Sequence, residues 1–191
     1  MGRRLPRPMA TPRRIYRIYL ELARNAPLVQ EFLQSKSEKS GTVDLFVNAD
    51  RGKFLARFGE EMEELCGVLD GTHKDSYLME STQTFYWASC YAASGDTAWE
   101  DLRFEEARRE AVTSGIGSVA ELRAAVARLV GIGAPAAKPS KCFLLWQVAD
   151  RLYRSSTPAD KQWSLEQLME ADLQDMKKRT YLEPIIARVT E

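Results

Sequence analysis

One stretch constrains this chain more than any other. It runs from Lys53 to Tyr91, where KFLARFGEEMEELCGVLDG is followed by the short turn THKD and then by SYLMESTQTFYWASCY. At about 100° of rotation per helical residue, Phe54, Phe58, Met62, Leu65 and Leu69 form one apolar stripe, with Glu60, Glu61 and Glu64 on an arc beside it. The second segment, Ser76 to Ala93, is apolar nearly all round, which predicts a helix buried on most sides and leaves Glu80 and Gln83 little solvated face. Burying a lone carboxylate is costly unless it is paired, protonated or bound to a metal, so Glu80 needs a partner. Two partners are open. One is a divalent cation bridging Glu61, Glu64 and Glu80; the other is an Arg or Lys, with Glu60, Glu61, Glu63 and Glu64 an ordinary solvated face.

The rest of the chain is punctuated as helices. Ile15, Ile18, Tyr19, Leu22 and Ala23 keep a helical period from Arg13 to Arg24, and Leu28, Val29, Phe32 and Leu33 restart it after Pro27. Ser35 to Thr42 reads as a polar loop, and Val43 to Asn48 is too short to assign by period. Thr97 with Glu100, Ser118 with Glu121 and Ser164 with Gln167 have capping-box spacing, each predicting a helix start. These signals point to an all-α fold. GIGAPAAKPSK, Gly131 to Lys141, is the clearest breaker and the candidate hinge or sub-boundary within a single domain over 15–191. Beyond it, Cys142 to Tyr153 reads as another mostly buried helix carrying Gln147 and Asp150. Its layout echoes the central region, so QVAD stands where ESTQ stands in a duplicated helical hairpin; two unrelated buried helices of a bundle would also look alike.

Composition narrows the function classes. The chain of 191 residues has equal numbers of acidic and basic side chains, 27 of each, so no global field recruits nucleic acid or an anionic membrane. Cys66, Cys90 and Cys142 are scattered without CxxC spacing, which fits a reducing cytoplasm and argues against a disulfide framework or a zinc site. No apolar run reaches the length of a membrane span. Residues 1–14 hold five Arg and three Pro and read as a mobile basic arm. The single histidine, His73, sits in the turn, and no Ser or Cys has a nucleophile setting. Phosphate-cradling Gly-rich loops are absent.

The pattern GEEMEEL, a short linker, then MESTQ resembles the all-α nucleotide pyrophosphohydrolases: the MazG group, the phosphoribosyl-ATP pyrophosphohydrolases and the dimeric dUTPases. Glu60, Glu61 and Glu64 match the EExxE part of their motif and Glu80 begins the ExxD part; Gln83 stands where Asp is expected, and the site loses one charge. The segment WSLEQLMEADLQDMKKR, Trp163 to Arg179, is similar to the terminal helix of MazG-type domains. The resemblance implies a helical bundle, a homodimer and a nucleotide substrate. It also implies Mg²⁺, or Mn²⁺, held by Glu61, Glu64, Glu80 and Gln83, and cleavage of the α–β phosphoanhydride to a monophosphate and pyrophosphate. Under the duplication reading Asp150 restores the missing charge. Glu60 is then the group that orients or deprotonates a water. Lys53, Arg57, Trp87, Lys177 and Lys178 are candidate substrate contacts, against the alternatives that the cations balance acids or a helix end and that aromatics such as Trp87, Tyr91 and Trp146 are core. Two other classes stay open: a catalytically weakened nucleotide-binding regulator, and a helical interaction protein without nucleotide chemistry.

Overall fold

The structure is a computed structural model and describes residues 9–191. Among these residues all regular structure is helical. The helices are α1 (Pro12–Arg24), α2 (Ala26–Ser35), α3 (Gly41–Val47), α4 (Arg51–Asp70), α5 (Tyr77–Ala93), α6 (Phe104–Thr113), α7 (Val119–Gly131), α8 (Pro139–Ser156), α9 (Leu165–Lys177) and α10 (Glu183–Arg188). The all-α expectation holds.

Local chemistry sets most of the boundaries. Thr11, Ser40, Asp50, Ser76, Ser118 and Ser164 each accept a backbone N–H at a helix start, satisfying amides that have no partner inside the helix. Ser118 and Ser164 complete the reciprocal boxes with Glu121 and Gln167. Thr97 and Glu100 do not. There the chain makes a single 3₁₀ turn over Glu100–Leu102, and α6 begins only after Arg103 in the left-handed region at φ 51°.

Helix α5 is the axis of the bundle, packed by α4, α1, α8 and α9, and α4 is covered in turn by α7 and α8. Its near-continuous apolar surface is therefore spent on four neighbours. Phe85 of α5 meets Phe143 and Trp146 of α8 edge-on, with ring centroids 5.6 and 5.1 Å apart, and Phe104 closes the same cluster. The Trp146 indole N–H donates to the Ser81 carbonyl at 3.0 Å, so this tryptophan is core. Tyr91 is core as well; its hydroxyl lies 2.6 Å from the carbonyl of Ala137, to which it donates, in the turn between α7 and α8.

The basic-arm expectation needs correcting over its last residues. Pro12, Arg13 and Arg14 open α1, and Arg14 is only 4% exposed, its Nε donating to the Val189 carbonyl at 2.9 Å. Residues 1–8 lie outside the described part of the chain. Among the described residues no helix is long and apolar enough to cross a membrane.

Candidate metal centre

Helices α4 and α5 are joined by residues 71–76, and the centre forms where that turn folds back. Gly71 leaves α4 in the left-handed conformation at φ 78°, and the amides of Thr72 and His73 donate to the Gly67 carbonyl at 2.8 and 3.0 Å. A Cβ at Gly67 would stand 2.7 Å from the Cβ of His73. A glycine inside a helix costs stability relative to alanine; here its missing side chain is what lets His73 close on α4. On the facing side, the buried Thr84 hydroxyl donates to the Glu80 carbonyl at 2.7 Å and lies 3.3 Å from the Glu61 carbonyl, tying the two helices together beside the acids.

The result is a convergence of three side chains. One carboxylate oxygen of Glu64, one of Glu80 and a ring nitrogen of His73 all lie within 4.8 Å of one another. Glu80 is fully buried, Glu64 is exposed and His73 is intermediate, so the group opens to solvent on one side. His73 Nε2 is 3.0 Å from Asp75 and 3.5 Å from Glu80. Burial first, and then the neighbouring Glu64, raise the proton affinity of the Glu80 carboxyl above the ordinary carboxylate range, with His73 opposing. Glu61 is also buried, and burial, then Glu64 and more weakly Glu80, raise its proton affinity too; Arg57 at 3.2 Å and the Trp87 indole N–H pull the other way. The three acids are electrostatically coupled, and mutual repulsion at this range is what a cation relieves.

The remaining expected site residues are distributed as follows. Glu60 is exposed and ion-paired to Arg57. Arg57 spans Glu60 and Glu61 and lies over the Trp87 ring at 5.1 Å from its centroid, so it balances the acids and orders the indole. Lys53 is exposed about 16 Å along the α4 axis from Glu64, beyond contact with it. Asp150 is not brought to the cluster: Tyr77 donates to it at 2.9 Å and Arg154 at 2.7 Å, so both its oxygens are taken. Gln147, which the duplication reading sets in the place of Glu80, is buried and donates to the Phe104 carbonyl. Gln83 is exposed and lines a different feature, a cleft between α5 and α9 that also includes Lys178 but none of Glu61, Glu64 or Glu80. Lys177 is exposed near that end of α9, and Lys178 pairs with Asp175.

His73 joins the acids although no helical period marks it. The one signal for it was Gly67, a helix-interior glycine four residues before the helix-ending Gly71. With an imidazole in the set, the donors suit the borderline Zn²⁺, or Mn²⁺ as a hard cation less demanding of water than Mg²⁺, better than Mg²⁺ itself, which favours all-oxygen octahedral shells rich in water. The chain matches no protein-family profile, no curated protein and no solved structure.

Proposed function

We propose that Glu64, Glu80 and His73, with Glu61 beside them, hold a divalent cation, and that the protein uses it to hydrolyse the α–β phosphoanhydride of a nucleotide to a monophosphate and pyrophosphate. The observation that carries the proposal is the direction of Glu80: buried, on the axial helix, and turned toward Glu64 rather than into the apolar core. The order of the acidic motifs, EExxE and then ExxQ one helix later, supports the same reading. When bound, such a cation neutralises charge developing on phosphate oxygens and lowers the pKa of a coordinated water.

The chain's own residues divide the remaining work. Glu61, whose proton affinity is raised by burial and by the neighbouring acids, takes the proton from the attacking water; Glu60 is exposed, tied to Arg57, and less suited to that role. Arg57, fixed by two carboxylates and an indole face, keeps Glu61 in reach of its ionised form. Thr84 holds the two helices in register, and Gly67 sets the reach of His73. Glu64, the exposed ligand, is the one that meets solvent and substrate first.

The test exploits the single histidine. Substoichiometric Mn²⁺ is expected to broaden the His73 ring signals in a proton NMR spectrum, and Glu64→Gln to abolish the effect. Release of pyrophosphate from a panel of nucleoside triphosphates with Mn²⁺ or Mg²⁺ is expected to depend on Glu64 as well. Sharp His73 signals at millimolar Mn²⁺ would reduce the cluster to a structural His–Glu clasp. Broadening without turnover would favour the regulatory reading.

A further inference from the structure

The cleft between α5 and α9 contains a second, independent anomaly. Asp172 of α9 lines it and is 3% exposed. Its Oδ1 accepts a hydrogen bond from the Tyr19 hydroxyl at 2.6 Å, whereas Oδ2 has no hydrogen-bond partner among the described residues. Buried polar atoms in folded proteins are nearly always paired, and leaving one unpaired is costly. The cleft has a volume of about 340 Å³, and its α5 side is made by Leu78, Met79 and Tyr86, with Met79 43% exposed. At its rim, Lys178 and Arg179 share one carboxylate, Asp175, at 3.2 and 3.0 Å, and the Arg179 guanidinium lies 5.3 Å from the Tyr86 ring centroid. Two cations meet on one acid at the mouth, and beneath them Asp172 Oδ2, closed to solvent, is an acceptor with nothing to accept.

We infer that the α5–α9 cleft binds a small amphoteric molecule, one that presents an N–H donor to Asp172 Oδ2 and a phosphate or carboxylate to Lys178 and Arg179. The apolar flank of Leu78, Met79 and Tyr86 covers the body that joins the two ends. This goes beyond the hydrolase reading and does not depend on it, because none of the metal-centre acids lines the cleft.

The ionisation of the floor adds a handle. Burial pushes the Asp172 carboxyl up to about 7, with the Tyr19 hydroxyl and then Arg179 pulling it back and Asp175 adding to the rise. The other groups facing it are Tyr19 from α1, and Tyr86 and Cys90 from α5, all held neutral at ordinary pH by burial. Against the cost of burial, the neighbouring Tyr86, Tyr19 and Tyr181 and Asp175 keep Arg179 cationic. Raising the pH through about 7 therefore ionises the floor alone, and an amine-bearing ligand binds more tightly above that point.

The experiment follows the Met79 methyl signal of the full chain by NMR at pH 8 while a ladder of ω-aminoalkyl phosphates, from two to six carbons, is titrated, with inorganic phosphate and ethylamine as the separate halves. At least one member of the ladder is expected to bind saturably and about ten-fold more tightly than either half. Asp172→Asn removes the accepting oxygen and is expected to lose that gain. Lys178→Gln, at a side chain 76% exposed and so without consequence for folding, weakens the phosphates and leaves ethylamine unchanged. Equal affinity for inorganic phosphate and the whole ladder would reduce the cleft to a rim anion contact and overturn the inference. So would the absence of any saturable shift, or affinities indifferent to Lys178→Gln.

Discussion

Glu80 on the axial helix and Asp172 on α9, which packs against it, are both buried acids, and burial raises the proton affinity of each. Asp172 has a proton affinity raised from 3.8 to about 7 in the folded chain. The folded state thus holds a proton that the unfolded state has released between those values, so the contribution of Asp172 to stability is full below about pH 4, declines as pH rises to about 7, and is level above. At 1.36 kcal/mol per unit the difference is about 4 kcal/mol. Urea unfolding across that window is expected to show the decline in the native chain and a flatter profile in Asp172→Asn; parallel profiles would mean that the carboxyl is ionised throughout. Glu80 lies on the same side of the balance, and for it a metal competes with the proton. Mn²⁺ affinity is accordingly expected to start falling, on acidification, at a pH above the ordinary carboxylate range, because the Glu80 carboxyl holds its proton more tightly than a free glutamate. An isothermal titration series in Mn²⁺ at stepped pH reads this directly.

At the scale of the elements, the pair α4–α5 shows what sequence pattern resolves and what it leaves out. The acids were legible because Glu61, Glu64 and Glu80 are fixed by helical period and by the apolarity of α5, both of which are properties of single segments. The other two expected cluster-mates of Glu80, Gln83 and Asp150, lie elsewhere. Gln83 is three residues on, about 60° round the helix, and α9 packs on that side, which takes it into the α5–α9 cleft. Asp150 sits one turn from Arg154 on α8, and that local pair, with Tyr77, claims it. His73 depends on a turn whose reach is set by the backbone of Gly67 and Gly71, and no period reports that. The Thr97–Glu100 spacing failed for a related reason: the capping-box pattern is local, and the backbone there turns through Arg103 in a left-handed conformation before α6 can start. Gly67→Ala tests the turn. Its Cβ would press on the His73 Cβ at 2.7 Å, while the exchange itself favours the helix by about 1 kcal/mol. We expect a net destabilisation of up to about 2 kcal/mol together with a several-fold loss of Mn²⁺ affinity. Unchanged affinity would show that His73 is not a ligand.

Across the whole molecule, the first helix is what connects the C-terminal segment to the α5–α9 cleft. Composition alone set Arg13 and Arg14 with the basic arm, since a run of Arg and Pro packs no core by itself. What fixes Arg14 is tertiary: its Nε and one terminal nitrogen donate to the carbonyls of Val189 and Ile186, at 2.9 and 3.4 Å, past the end of α10 and inside it. Arg17 reinforces the closure through the Glu191 carbonyl at 2.6 Å, and Arg188 approaches Glu21 at 3.5 Å. On its inner side the same helix places Tyr19 against Asp172, so α1 is held between the C-terminal clasp and the floor of the α5–α9 cleft, remote in contact from Glu64 and His73 on the α4 side. Arg14→Met keeps the aliphatic stem and removes the donors, leaving carbonyls at a helix end without their partners. The expected cost is about 1–3 kcal/mol in urea unfolding. Because α1 reaches the metal centre through α5 and α3, Mn²⁺ broadening of the His73 signals is expected to survive in Arg14→Met, whereas binding in the α5–α9 cleft weakens as Tyr19 loses its fixed position. A variant that lost Mn²⁺ binding and cleft binding together would instead show that the bundle opens as one unit from its ends.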